Sequence, residues 1–252
     1  MLNNADAAFA DALSGAGISV KPAAPAYLEE PRGLYHARPG FVALPGSTED
    51  VSTIVKLAAA SRVGIVPYGG GTGLVSGQIA TEGPVPLILS LEKMAAIRGV
   101  YPEEDTIVAE AGATIAQVQD AATESDRLFP LSYASQGTAR LGGGLSVNSG
   151  GLNVLRYGMA RDVCLGIEAV LPNGDILHGL KRLRKDNTGY DLRHLLIGAE
   201  GSLGVITAAA LKLSHPPAEV ATAFFAVPSP EAALKLLALC RSEVGEAIRL
   251  SS

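Results

Sequence analysis

Where glycine sits constrains this chain more than any other feature of its sequence. Residues 67–77 read Pro-Tyr-Gly-Gly-Gly-Thr-Gly-Leu-Val-Ser-Gly and directly follow a short apolar run, residues 64–67, that reads as a buried strand. Consecutive glycines let the main chain come within hydrogen-bond distance of a ligand and turn successive N–H groups toward one point. Phosphate can be solvated that way without side-chain charge. Two familiar nucleotide motifs are excluded: no Lys followed by Ser or Thr completes a Walker pattern, and counting G-x-G-x-x-G from Gly71 puts Ser76 where the third glycine belongs. A second stretch, residues 137–151, mixes glycines with Thr138, Ser146, Asn148 and Ser149, side chains suited to a polar heteroaromatic ring or a polyol chain. A third, residues 200–206, reads Glu-Gly-Ser-Leu-Gly-Val-Ile. Each alone could be a glycine-rich turn that holds nothing. Three of them, separated by strand-like segments, point to one extended ligand laid across several loops, a dinucleotide rather than a small metabolite.

Between these loops the pattern predicts a helix near residues 6–16, then a segment in which Pro22, Pro25 and Pro31 prevent regular structure. A strand at residues 41–44 ends at Pro45-Gly46. Ser47 or Thr48 then caps a helix whose Val51, Ile54, Val55 and Ala58 share one face. Strands are predicted at residues 87–90 and 107–110, and a Thr-capped helix at residues 114–125 with Ile115 and Val118 on its apolar stripe. Residues 166–171 and 175–180 flank Pro172-Asn173-Gly174-Asp175, a strong hairpin signal. Residues 205–213 read as one more strand, ending at His215-Pro216-Pro217, the clearest boundary in the chain. A strand at residues 221–227 and a helix at 229–244, with Ser229 as cap and Pro230 first, then open a new unit.

Composition removes several function classes. With 48% hydrophobic and 18% charged residues, the chain is globular rather than disordered. A net charge of -5 argues against a nucleic-acid binder. Cys164 and Cys240 stand far apart, and His36, His178, His194 and His215 lack ligand spacing, so neither a disulfide framework nor a metal site is expected. No apolar run is long enough to span a bilayer, and the first thirty residues, with Asp6, Asp11, Glu29 and Glu30 against Lys21, look like no targeting peptide. The expectation is a soluble, cytoplasmic protein. The basic run at residues 181–185 reads as a solvated face rather than a contact for an anionic partner.

The order of these segments resembles the FAD-binding half of the vanillyl-alcohol-oxidase (PCMH-type) superfamily, close to its glycolate oxidase, D-lactate dehydrogenase and D-2-hydroxyglutarate dehydrogenase group. Nine ordered segments carry the likeness, from residue 38 to about 216: residues 42–51, 67–77, 110–112, 129–130, 141–151, 155–158, 166–174, 185–192 and 197–207. The resemblance implies an α+β fold of two subdomains, a small parallel βαβ-type unit followed by one built on an antiparallel sheet, with FAD between them. It implies three regions: residues 1–37 as a helical and Pro-rich N-terminal segment, 38–217 as the FAD-binding domain, and 218–252 as the start of a substrate-binding cap that continues beyond this chain.

Carried over residue by residue, Pro67, Gly69, Gly70, Gly71, Thr72, Gly73, Leu74 and Gly77 would cradle the pyrophosphate. Ser135, Gly137, Thr138, Gly142, Gly143, Ser149 and Gly151 would line the flavin and its ribityl chain, and Gly204, Val205 and Ile206 the adenosine side. Relatives that bind FAD covalently do so through a first-loop histidine. Here Thr72 stands in a loop without histidine, so the flavin is expected to be non-covalent. The family's Ile-Gly-Gly-Asn reads Leu141-Gly-Gly-Gly144, which removes one side-chain amide. Residues 185–192 favour the hydroxy-acid branch, with Tyr190 or Asn187 as candidates for a place near the flavin.

The implied activity is oxidation of a D-2-hydroxy acid to a 2-oxo acid by hydride transfer to flavin N5, with electrons leaving to an acceptor that the sequence does not identify. No metal and no catalytic residue is assigned in this chain, because the resemblance places both in the cap. A homodimer formed through the surface that the cap would cover is a further expectation. The alternatives are an oxidoreductase of the same superfamily acting on another alcohol or on an enolpyruvyl sugar nucleotide, and a non-catalytic flavin-binding module that needs a partner.

Overall fold

The computed structural model describes residues 1–248, folded around two sheets. The first has four strands in the order β1 (Ser19–Pro22), β2 (Phe41–Leu44), β4 (Leu87–Ser90), β3 (Ile65–Tyr68); β2 and β3 run parallel to β4, and β1 pairs antiparallel with β2. Helix α1 (Ala7–Gly15) starts at Asp6, whose side chain accepts the Phe9 amide, and buries Phe9 and Leu13. The short helix α2 (Pro25–Leu28) follows β1. Helix α3 (Thr48–Ser61) connects β2 to β3. Ser47 caps it by accepting the Asp50 amide, and Val51, Ile54, Val55 and Ala58 are buried against the sheet.

The second sheet is antiparallel throughout: β5 (Ile97–Tyr101), β6 (Thr106–Glu110), β9 (Val205–Lys212), β7 (Cys164–Val170), β8 (Ile176–Gly179). One face is covered by α4 (Ile115–Thr123) and α5 (Leu141–Ser146), whose Ile115, Val118, Leu141 and Leu145 are fully buried with Ile107, Ile167 and Leu211. A capping box closes α4, with Thr114 and Gln117 each accepting the other's main-chain amide. Short helices α6 (Val154–Tyr157), α7 (Ala160–Val163) and α8 (Arg193–Leu196) precede β7 and β9, and α9 (Pro230–Val244) lies last, capped by Ser229. The α+β architecture of two subdomains is the one the sequence implied.

Four readings need correction. The prolines of residues 17–37 do not prevent regular structure: β1 ends on Pro22 at the sheet edge, where a missing N–H is tolerated, and α2 starts on Pro25, where its fixed φ suits a first helical turn. Strand β3 is half-buried rather than buried, because it is the other edge of its sheet. Residues 221–227 form no strand; they pair with no neighbour among the described residues, and Phe224 and Phe225 are exposed. The middle of the glycine-dense stretch 137–151, read as loop, is the helix α5.

Glu168 on β7 ties the subdomains together. Its Oε1 accepts from the Thr48 hydroxyl of α3 at 2.7 Å, the Thr207 hydroxyl of β9 at 3.0 Å and the Arg98 guanidinium of β5 at 3.1 Å. Burial alone would raise this carboxyl, but the bonds from Thr48, Arg98 and Thr207 outweigh it and hold the group below its ordinary 4.5. A depressed acid contributes stability that is complete above its unfolded-state value and is lost as pH falls through the folded one. Thermal melts should therefore show Glu168→Gln less stable than the parent at neutral pH, with the gap closing below about pH 4.5. A gap that stays constant down to pH 3 would remove the ion from this account.

The basic run at residues 181–185 folds onto acidic partners. Arg182 stacks 3.6 Å over the Tyr101 ring and bonds Glu104 with two nitrogens, while Lys181 pairs with Asp186 and Arg184 with Asp105. It is a brace over the β5–β6 corner.

Candidate functional site

The three glycine loops converge on one cleft of about 590 Å³ between the two sheets. The whole of β3, the edge strand, forms one wall. From its end the wall continues through residues 69–73 and 75–77. Among the described residues, no protein acceptor meets the amides of Gly70, Gly71, Thr72 and Gly73. Four consecutive unpaired N–H groups beside a cavity form an anion cradle.

The loops also fit into one another. A side chain on Gly70 would begin 2.1 Å from the Thr138 carbonyl oxygen, and one on Gly69 would touch Gly143. A Cβ on Gly201 would meet Pro67 at 2.7 Å, so the third loop rests on the base of the first. Gly142 lies against Ala111, and Gly151 (φ +142) would meet the Ser132 carbonyl oxygen at 2.3 Å. These glycines keep main chains in contact so that the space left over belongs to a ligand.

Polar groups in the wall lack partners. The Tyr133 hydroxyl and Ser149 Oγ are buried beside Gly144, close to one another but without a well-formed hydrogen bond among the described residues; Ser76 Oγ and Arg140 Nε are buried there without a partner. Burial pushes the Tyr133 hydroxyl up, so it remains a neutral donor at physiological pH. Buried polar groups without partners are rare, and several around one cavity mark a place where a polar ligand completes the bonding.

An N-terminal brace fixes the first loop from outside. Tyr68 donates to the Ala26 carbonyl at 2.7 Å and packs edge-on against Tyr27, while Arg32 donates to the Leu74 carbonyl. The buried Glu30 holds that turn by accepting the amides of Arg32 and Leu34.

Of the residues singled out from sequence, Pro67, Gly69, Gly70, Gly71, Thr72, Gly73, Gly77, Gly142, Gly143, Ser149, Gly151, Gly204, Val205 and Ile206 all lie on the cleft wall. Leu74, Ser135, Gly137 and Thr138 do not. Leu74 is exposed at the loop tip, and the 135–138 turn sits behind Gly70, supporting it with the Thr138 carbonyl. Tyr190 and Asn187 are exposed and off the wall. Sequence reasoning missed Tyr133 and Arg140, which no glycine pattern marks. It also passed over Ala111 and Gly112, although residues 110–112 were among the segments carrying the resemblance.

Residues 39–179 match the protein family described as FAD binding domain. The chain belongs to that family. It thereby falls in the vanillyl-alcohol-oxidase superfamily, and its cofactor is FAD, a ligand whose charged pyrophosphate and polar ring suit the amide cradle and the unpartnered hydroxyls described above. This FAD-binding chain is 37% identical over 212 residues to a D-2-hydroxyglutarate–pyruvate transhydrogenase from Saccharomyces cerevisiae, covering 84% of the chain and 42% of the relative. It is 38% identical over 202 residues to a mitochondrial D-2-hydroxyglutarate dehydrogenase from Danio rerio, covering 80% of the chain and 38% of that protein. Among solved structures, an alkyldihydroxyacetonephosphate synthase superposes with a TM-score of 0.66 at 26% identity, covering 74% of this chain and 34% of that one. The chain thus spans about two fifths of the length of the curated relatives it matches. Among the described residues, no helix is long and apolar enough to cross a membrane, and no group of three His, Cys, Asp or Glu could hold a metal ion.

The orphaned hydroxyls make a separable prediction. An unmet buried hydroxyl costs the ligand-free protein about 1 kcal/mol and returns that energy when it bonds the ligand. Tyr133→Phe should leave the ligand-free protein as stable as the parent or slightly more so, while weakening FAD about three- to tenfold. Melting curves with and without FAD read both effects. A variant that loses stability in both states would show that the hydroxyl serves the fold instead.

Proposed function

We propose that this chain is the FAD-holding part of a dehydrogenase that oxidises a D-2-hydroxy acid of the D-2-hydroxyglutarate, D-lactate or glycolate type to the 2-oxo acid. The observation that carries the proposal is the similarity to relatives named for D-2-hydroxyglutarate. It extends over four fifths of the chain, too long a stretch to leave out any of the three loops that build the cleft. FAD, when bound, would supply the redox chemistry as the hydride acceptor. The chain's own residues hold and orient it. The unpaired Gly70–Gly73 amides would hold the pyrophosphate, Tyr133 and Ser149 would offer hydroxyls, and the apposed glycines leave little room between the loops.

In this reading FAD is held non-covalently, supported by Thr72 in the first loop and by a cleft wall without histidine or cysteine among the described residues. The groups that grip and deprotonate the substrate belong to the part of the relatives that this chain does not match. The electron acceptor is a separate molecule. Pairing of two copies is supported by the exposed Phe224, Phe225, Leu234 and Leu239. A cytoplasmic location belongs to the same proposal, to be checked by fractionating cells that express a tagged protein.

The test begins with the visible spectrum of the purified protein before and after denaturation. It continues with anaerobic addition of D-2-hydroxyglutarate, D-lactate, glycolate and the L-enantiomers. Release of free FAD on denaturation is expected, and bleaching of the protein-bound flavin by a D-acid alone is expected once the part of the relatives that this chain does not match is supplied with it. Bleaching by none of them even then would favour a flavin-binding module that works through a second polypeptide.

A further inference from the structure

The cleft wall carries two formally charged side chains, Arg140 and Glu200. Arg140 stands just before α5, where the second glycine loop meets the first. Its Nη1 donates to the Gly112 carbonyl at 2.6 Å, which pins the guanidinium in place. Its Nε is buried and bonds to nothing, and among the described residues no carboxylate lies within ion-pair distance. The arginine Cβ lies 3.9 Å from where a side chain on Gly69 would start, so the residue is rooted at the foot of the loop whose amides are unpaired.

Neutral amides can meet phosphate oxygens but leave the formal charge of a pyrophosphate uncancelled. A guanidinium held in a concave site without a counter-ion is unfavourable until an anion arrives, and its planar fork matches phosphate oxygens well. Resting on the FAD reading above, we infer that Arg140 is a binding residue for the cofactor's pyrophosphate. It supplies the positive charge that the glycine cradle lacks and makes the site select a dinucleotide over an uncharged flavin. The other seat for such a cation, beside the flavin ring, predicts a different pattern of losses.

The experiment compares the parent protein with Arg140→Met and Arg140→Lys. The ligand-free proteins are titrated with FAD, with riboflavin (the ring without phosphate) and with ADP (the pyrophosphate without the ring), at low and high salt. Flavin fluorescence reports the first two, and displacement of FAD reports ADP. Arg140→Met should weaken FAD and ADP by about tenfold to a hundredfold, leave riboflavin within about twofold, and flatten the salt dependence of FAD binding. Arg140→Lys should recover part of the loss. Equal weakening of riboflavin and FAD would overturn the inference, assigning Arg140 to the ring or to bracing Gly112, and unchanged FAD and ADP affinities would overturn it too. A parent protein that binds none of the three would sink the FAD reading itself, whereas one that binds FAD with the variant unaffected sinks only the role of Arg140.

Discussion

A methyl group added at Gly70 is expected to weaken FAD binding by about tenfold to a hundredfold while the protein still folds. The added carbon would start 2.1 Å from the Thr138 carbonyl oxygen, 2.8 Å from its carbon and 2.9 Å from the Ala139 Cα. All three are main-chain atoms, so no side chain can swing aside. Either the first loop or the 135–139 turn must shift by about the deficit, and overpacking of that kind costs about 1–3 kcal/mol. The first loop is the softer of the two, since among the described residues no protein acceptor meets the Gly70–Gly73 amides. The displacement therefore falls on the groups that meet the cofactor. Gly137→Ala is the matched control, with nothing within 4 Å of the new carbon and a position off the cleft wall, and it should bind FAD as the parent does. Fluorescence titration of the two variants decides the matter, and equal affinities would show that the loops are not wedged together as described.

Gly112→Ala is expected to act on the fold instead. Its Cβ would lie 1.9 Å from the Leu91 carbonyl oxygen and 2.6 Å from that of Met94, while the Gly112 amide donates to the same Met94 oxygen. Gly112 lies two residues after β6, and Leu91 directly follows β4 of the other sheet, so the glycine sits where the subdomains join. Relief requires the segment between β4 and β5 to move, giving up that hydrogen bond and disturbing Met94, which is fully buried. The penalty should reach the upper end of overpacking, about 3 kcal/mol, or a fall in melting temperature of about 6–12 °C for a chain of this size. Differential scanning calorimetry without cofactor is the measurement, and a melting temperature within 2 °C of the parent would contradict the close approach.

The sequence disclosed most of what local rules govern. The caps at Ser47, Thr114 and Ser229 and the Asn173-Gly174 turn are each decided within a few residues, and each stands where its side-chain chemistry put it. What escaped depends on partners distant in the chain. Helix α5 contains Gly142, Gly143 and Gly144, poor helix formers, and it exists because Leu141 and Leu145 are buried while Gly142 must fit against Ala111. Strand β5 hides behind Arg98 and Gly99, and pairs with β6 through a register shift that alternation cannot reveal. The cofactor loops were legible because glycine runs are conspicuous. Tyr133 and Arg140 were not, because only the fold shows that their polar atoms lack partners.

The brace from residues 24–36 gives the first loop a property its own glycines cannot supply. Arg32 and Tyr68 tie its tip and its base to main chain that lies before the family-matched region, and neither bond involves the cofactor. A glycine-rich strip left to itself would sample many shapes and release its ligand whenever it opened. Anchored at both ends, it is expected to open less often. Residence time of the cofactor is therefore set partly by a stretch of chain that never touches it, and a change there would show as faster dissociation with little effect on the rate of association.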